Sequence, residues 1–186
     1  MVNQNSFSAE MKTTKAQLIV CGTDTDVGKT VVSALLVQGL GATYWKPVQS
    51  GMEGGGDTGR ICRLLRLPPE RCLPEKYLLH APVSPHWAAE KENCLIEPNL
   101  LDIPACTGPL IIETAGGLMV PLNRQWLQID QLKRWERPVI LVARSGLGTL
   151  NHTLLSLEAL RNRNIPVLGI ILNGSPHPDN PVTLEE

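Results

Sequence analysis

Five short apolar runs, bounded by glycine, proline or polar turns, punctuate the chain: AQLIVCG (16–22), ATYWKPV (42–48), GPLIIET (108–114), RPVILVA (137–143) and IPVLGIILNG (165–174). Runs of this length, rich in branched residues, read as buried strands. Helix-period segments lie between them. Residues 29–40 place Val32, Leu35, Leu36 and Gly39 near helical spacing, with Gly39 and Gly41 as stops. Asp57 or Thr58 can cap a short helix carrying Ile61, Cys62, Leu64 and Leu65, ended by Pro68 and Pro69. SPHWAAEK starts a helix at Ser84 with proline in its first turn. WLQIDQLKRW (126–135) and LNHTLLSLEALRNR (150–163) complete the set, the latter capped by Thr149 or Asn151. The stretch from Pro68 to Pro109, with eight prolines, gives the weakest signal.

Continuous apolar strands alternating with amphipathic helices predict an α/β fold: a doubly wound, mainly parallel sheet with helices on both faces. In such sheets ligands sit beyond the carboxyl ends of the strands. That rule selects GTDTDVGKT, KPVQSGMEGGGD, ETAGG, RSGLGT and NGSP, each supplied with glycine or polar side chains.

With 186 residues, the chain predicts one domain, spanning 16–186, behind a loose tail at 1–15 that lacks the apolar centre of a secretory signal. The 17 basic and 18 acidic residues give a net charge of −1, which argues against a nucleic-acid or anionic-membrane binder working by bulk charge. No run approaches the ~18 apolar residues of a membrane span. Five cysteines, Cys21, Cys62, Cys72, Cys94 and Cys106, are odd in number, widely spaced and without C-x-x-C. They predict neither a disulfide framework nor a zinc site, and a cytoplasmic protein is expected.

Residues 22–30, GTDTDVGKT, lie between a strand and a helix, the context of a phosphate-binding loop. The backbone of Thr25, Asp26, Val27, Gly28, Lys29, Thr30 and Val31 at the helix start can surround phosphate oxygens where the helix carries partial positive charge. Lys29 would reach the β- and γ-phosphates of a nucleotide such as ATP, and the Thr30 hydroxyl would ligate Mg²⁺. The strict pattern would put its first glycine at Thr23; Gly22 stands one place earlier. Mg²⁺ needs further hard oxygen ligands. Asp57 and Glu113, each after a strand or glycine run, are the candidates. Lys46, flanked by Trp45 and Pro47, would be costly to bury unless it meets an anion.

Taken together, GTDTDVGKT, YWKPVQSG (44–51), ETAGG (113–117), LGTLNHTLL (147–155) and GIILN (169–173) resemble the dethiobiotin synthetases. The first motif is shared with related P-loop amidoligases; KPVQSG with LGTLNHTLL is far more specific. The resemblance implies ATP-dependent carboxylation of 7,8-diaminononanoate with CO₂ or bicarbonate. An amine takes up CO₂ as a carbamate, the carbamate attacks the γ-phosphate, and the second amine expels phosphate to close a ureido ring. It also implies that Lys29 and Lys46 are catalytic. Ser50 would contact the diamine or its carbamate. Glu113, Thr114, Ala115 and Gly116 would border the nucleotide, and Asn173 with Gly174 would meet its base. Gly148, Thr149 and Asn151, at a helix start, would receive the substrate carboxylate from a partner subunit of a homodimer.

Three departures accompany the resemblance. Family members often have Glu where Asp26 stands, and glycine where Thr114 stands, so Thr114 could narrow the approach to phosphate or diamine. They also continue through another strand and helix beyond NGSP, so a missing C-terminal segment is expected. The competing readings are an amidoligase of the cobyrinate type, which carries a fused glutaminase, a regulatory or partitioning-type P-loop ATPase, and a nucleotide-binding paralogue without turnover.

Overall fold

The first apolar run folds as β1 (Gln17–Gly22) and becomes an inner strand of a six-stranded sheet. The structure, a computed structural model, describes residues 16–185; the expected tail at 1–15 lies outside the described residues. In chain order the other elements that build the sheet are β2 (Thr43–Trp45), β4 (Cys72–Leu73), β6 (Leu110–Glu113), β9 (Val139–Arg144) and β10 (Val167–Asn173). They line up as β10-β9-β1-β6-β2-β4, and every neighbouring pair is parallel. Two small sheets flank them: β3 (Val48–Ser50) with β5 (Tyr77–Leu79), and the hairpin of β7 (Pro121–Asn123) with β8 (Trp126–Leu127).

Alternation along the strands divides the core in two. Ile19, Cys21, Ile112 and Leu141 pack to one side with Ile129, Leu132 and Trp135 of α4 (Gln128–Trp135) and Leu157 and Leu160 of α5 (Thr149–Arg161). Leu18, Val20, Ile111 and Val142 pack to the other, against Val32 and Val37 of α1 (Lys29–Leu40) and Ile61 of α2 (Gly56–Leu65). Each fully buried aliphatic contributes roughly 1.5–3 kcal/mol. The doubly wound parallel sheet expected from the pattern is the observed architecture. Two short helices, α3 (Pro85–Lys91) and α6 (Asn180–Glu185), complete the chain, and no helix among the described residues is long and apolar enough to cross a membrane.

Several local readings are corrected. The buried face of α1 is Val32, Ser33, Ala34 and Val37, while Leu35 is 64% exposed. The small Ser33 and Ala34 let the helix lie close on the sheet, which turns Leu35 outward. The 126–135 segment begins as β8 and becomes helical only at Gln128, where the Leu127 N–H donates to Asp130 Oδ2 at 3.0 Å. Neither Thr149 nor Asn151 caps α5. Gly148 holds the cap position with φ 91°, and Thr149 is the first helical residue, its hydroxyl 3.4 Å from Thr153 Oγ1. The proline-rich stretch supplies the sixth strand, β4, at the sheet edge.

The cysteine reading also changes. Cys62 and Cys72 are joined as a disulfide with Cα atoms 6.4 Å apart. After Cys62 the helix ends at Arg66 in the left-handed region, and the Leu67 N–H returns to the Cys62 carbonyl at 3.1 Å. The following prolines then fold the chain back beside its own helix. Cys21 is buried, which pushes its thiol up to about 12 and leaves it inert.

Candidate active site

The phosphate-loop segment connects β1 to α1, and its last residue before the helix, Gly28, has φ 100°. A Cβ there would fall 2.1 Å from the Asn173 amide nitrogen, so glycine is required by both conformation and space. Asn173, at the end of β10, donates from Nδ2 to the Val27 carbonyl at 3.0 Å and ties a distant strand end to the loop. Lys29 begins α1, is 6% exposed, and donates from Nζ to the Asp24 carbonyl at 2.7 Å. Burial, and then the nearby Lys46 ammonium, hold Lys29 below the usual lysine range.

Glu113 closes β6 with no exposed surface and gathers three donors. Thr30 Oγ1 donates to Oε1 at 2.8 Å, Tyr44 Oη to Oε2 at 3.0 Å, and Lys46 Nζ to Oε1 at 3.2 Å. Lys46, one residue beyond β2 and 6% exposed, also donates to Asp57 Oδ2. Asp57 stands in the first turn of α2, where its N–H donates to Gln49 Oε1 at 3.2 Å. Arg60 lies one turn further on, with Nη1 at 3.7 Å from Asp57 Oδ1.

The charge states follow from this packing. Burial pulls Lys46 down, but Glu113 and Asp57 outweigh it and hold the ammonium above its ordinary range. Burial likewise pushes Asp57 up, yet Lys46 overcomes it and the carboxyl titrates below its usual value. Tyr44 is driven well up, by burial first and by Glu113 second, so its phenol remains a donor.

Lys29, Thr30, Lys46, Gln49, Asp57, Arg60 and Glu113 line one cavity of about 650 Å³ at the carboxyl ends of β1, β2 and β6, and Tyr44 lies outside its lining. Of the residues singled out from sequence, Thr25, Asp26, Gly28, Lys29, Thr30, Val31, Lys46, Ser50, Asp57, Glu113, Ala115 and Gly116 are on its wall. Val27 is instead packed in the core, and Thr114 is buried outside the lining, so its Cβ does not narrow the cavity. Asn173 and Gly174 lie behind the loop at the end of β10, outside that wall. Gly148, Thr149 and Asn151 at the start of α5 do not reach it either; their neighbour His152 lines a second, smaller cavity with Thr23, Asp24 and Met119.

Sequence reasoning missed Tyr44, Gln49, Arg60 and Ser84. Tyr44 and Gln49 sit inside the quoted YWKPVQSG motif, yet only the fold turns the phenol onto Glu113 and the amide onto the backbone of Ser50, Gly51 and Asp57. No local signal marked Arg60. Ser84 holds the N-cap position of α3 ahead of Pro85, without a side-chain cap bond, and it also lines the cavity.

A family model described as an AAA domain matches residues 16–186. An ATP-dependent dethiobiotin synthetase of Rhodopseudomonas palustris is 54% identical over 164 residues, 88% of this chain and 78% of that protein. Proteins of the same name from Afipia carboxidovorans and Brucella ovis are 53% and 52% identical, over 79% and 80% of their lengths. The chain belongs to the dethiobiotin synthetase family. Among solved structures, the kinase domain of Escherichia coli tyrosine kinase ETK is 17% identical with a TM-score of 0.45, covering 89% of this chain and 70% of that one.

For a dethiobiotin synthetase, the metal question is whether the donors suit Mg²⁺. Among the described residues, no group of three or more His, Cys, Asp and Glu side chains gathers as a self-sufficient metal cage. Two carboxylates and a threonine hydroxyl do converge on the phosphate loop. Mg²⁺ is usually held by one or two carboxylates plus substrate phosphates and water, so this oxygen set fits. The cavity therefore combines the loop at the start of α1, two lysines and an oxygen set that suits a hard cation.

Proposed function

We propose that the 650 Å³ cavity is where Mg-ATP drives carboxylation of 7,8-diaminononanoate by CO₂ and closure of its ureido ring, giving dethiobiotin, ADP and phosphate. The chain is thus read as an ATP-dependent ligase forming carbon–nitrogen bonds, in line with relatives named ATP-dependent dethiobiotin synthetase. The observation that carries the reading is Lys46, a buried ammonium held between Glu113 and Asp57 on the cavity wall, where it shares Glu113 Oε1 with Thr30 of the phosphate loop. Such a charge has no structural need of two carboxylates at a strand end, and it suits a site where anionic oxygens meet.

The roles follow from position. The loop from Thr25 to Val31 cradles phosphates, with Lys29 free to exchange the Asp24 carbonyl for a phosphate oxygen. Thr30, Asp57 and Glu113 would hold Mg²⁺, which when bound neutralises phosphate charge and orients the triphosphate. Lys46 stabilises negative charge developing on the γ-phosphoryl and carbamate oxygens. Ser50, whose buried hydroxyl has no partner among the described residues, offers its hydrogen bond to the diamine or its carbamate. The carbamate oxygen attacks the γ-phosphorus as ADP leaves; the second amine then attacks the carbamate carbon, and phosphate departs with its oxygen. Asn173 and Gly174 would border the base from behind the loop.

The substrate carboxylate is assigned to the start of α5 in a partner subunit, at Gly148, Thr149 and Asn151. In support, this face carries exposed apolar side chains with no internal use: Leu147 fully, Met119, Leu154 and Leu155 each by half or more. A homodimer buries them and brings Asn151 to the neighbouring site. Leu155→Glu is expected to shift sedimentation from dimer to monomer and to raise KM for the diamine at least tenfold, since the carboxylate receptor is lost. A wild-type chain that sediments as a monomer at working concentration would sink the dimer reading.

The decisive test of the reaction is phosphate release from Mg-ATP with bicarbonate, with and without the diamine. Release strictly dependent on the diamine, with dethiobiotin found by mass spectrometry, is the expected result. Basal ATPase that ignores the diamine would favour a regulatory P-loop ATPase instead.

A further inference from the structure

The Cys62–Cys72 link joins the two elements that present Lys46 and Asp57 to each other. Cys62 lies on α2, five residues after Asp57, while Cys72 lies on β4, paired with Tyr44 of β2 just before Lys46. Apart from the Asp57 contacts to Lys46 and Gln49 and the packing of Ile61 and Leu65, little else fixes that helix. The chain reaches it through Gly54, Gly55 and Gly56, with φ of 65°, 82° and 69°, a run without side chains to seat it. Ile61 is its one buried side chain, and Leu64 is 73% exposed. Arg60 and Arg63 donate to the carbonyls of Glu53 and Gly54, which ties the glycine turn to its own helix but to nothing beyond it.

We propose that Cys62 and Cys72 form a reversible thiol–disulfide site, open to low-molecular-weight thiols such as glutathione, whose oxidised state holds α2 so that Asp57 meets Lys46. Both cysteines are half-buried rather than sealed, unlike Cys21, and a Cα separation of 6.4 Å is within the span a disulfide bridges. In reduction, a glutathione thiolate attacks one sulfur and the other leaves as a thiolate that takes a proton. A second glutathione thiolate then attacks the mixed disulfide, giving two protein thiols and glutathione disulfide. Glutathione disulfide reverses both steps. The consequence for turnover rests on the reading of Lys46 and Asp57 given above.

The test uses the full chain equilibrated with either dithiothreitol or glutathione disulfide. Alkylation with iodoacetamide and mass spectrometry should find Cys62 and Cys72 modified only after reduction, with exposed Cys94 modified in both states as an internal control. Amide exchange over residues 57–65 should quicken severalfold on reduction, and diamine-dependent phosphate release should fall roughly threefold to tenfold from the misplaced carboxylate. Cys62→Ser and Cys72→Ser should each match the reduced enzyme in exchange and turnover, and the oxidant, able only to cap the remaining thiol with glutathione, should not restore either. Cysteines alkylated equally in both states overturn the proposal, as does exchange over 57–65 that is the same in both. Faster exchange with unchanged phosphate release overturns the catalytic coupling, and leaves the proposed reaction standing on its own diamine dependence.

Discussion

Lys46→Ala is expected to lower kcat for diamine-dependent phosphate release by about 10³-fold, near 4 kcal/mol of transition-state stabilisation, with Mg-ATP affinity changed by less than about tenfold. The two effects should separate because the phosphate loop and Lys29 belong to the β1–α1 connection, whereas Lys46 follows β2 and is assigned to charge that develops only during reaction. Lys46 is charged throughout the neutral range, since Glu113 and Asp57 together overcome the effect of burial. Its ammonium is therefore preorganised, needing no proton uptake or solvent reorganisation as charge develops. Truncation also leaves two carboxylates facing each other without their cation, so a fall in stability would confound the kinetics. Lys46→Met, which keeps an apolar stem of similar length, controls for lost volume, and a urea titration reports how much fold remains. Kinetics from both variants are compared at equal folded fraction. Wild-type kcat in either variant would remove Lys46 from the chemistry and leave it as a structural ion pair.

Much of that site was legible in the sequence because its parts obey local rules. Glycine before Lys29 at a strand-to-helix turn has one physical use, and the fold supplies the same constraint a second time through Asn173. The apolar runs gave five of the six strands of the main sheet, since a strand buried on both faces must be apolar throughout. β4 escaped because two residues carry no periodicity; it exists through pairing with β2. The exposure of Leu35 has a related reason. Spacing gives the apolar stripe of a helix, but the small residues Ser33 and Ala34 decide which side can approach the sheet. Lys46 could be marked as needing an anion, yet which carboxylates answer it is a matter of tertiary geometry. The same holds for Tyr44, whose sequence neighbours say only that it is in a strand. Thr114 shows the converse: a departure from the family motif that looked obstructive follows Glu113 in the chain and stays outside the cavity lining. The cysteine pair was invisible because ten residues of separation gain meaning only when a left-handed Arg66 and two prolines reverse the chain.

Glu113→Ala should be the most damaging single change in the protein, lowering stability by about 3–5 kcal/mol as read from the urea midpoint. Three donors converge on this carboxylate, and two of them, the Tyr44 hydroxyl and the Lys46 ammonium, are buried. Lys46 would keep only Asp57, which is the more exposed of its two partners. Glu113→Gln separates shape from charge. Its carbonyl can accept from Tyr44 or Thr30, but its amide must point two protons at groups that are themselves donors, so part of the loss, about 1–3 kcal/mol, should persist. Both variants remove a proposed Mg²⁺ ligand, and Glu113→Gln should therefore need a much higher Mg²⁺ concentration for half-maximal turnover even where it remains folded. The pairing itself is measured by a double-mutant cycle. Glu113→Gln and Lys46→Met made together should destabilise by at least about 1 kcal/mol less than the sum of the single changes, because the second substitution removes a charge that the first has orphaned. Strict additivity would mean that Glu113 supports the fold through Tyr44 and Thr30 alone, and the electrostatic account of Lys46 would then rest on Asp57 only.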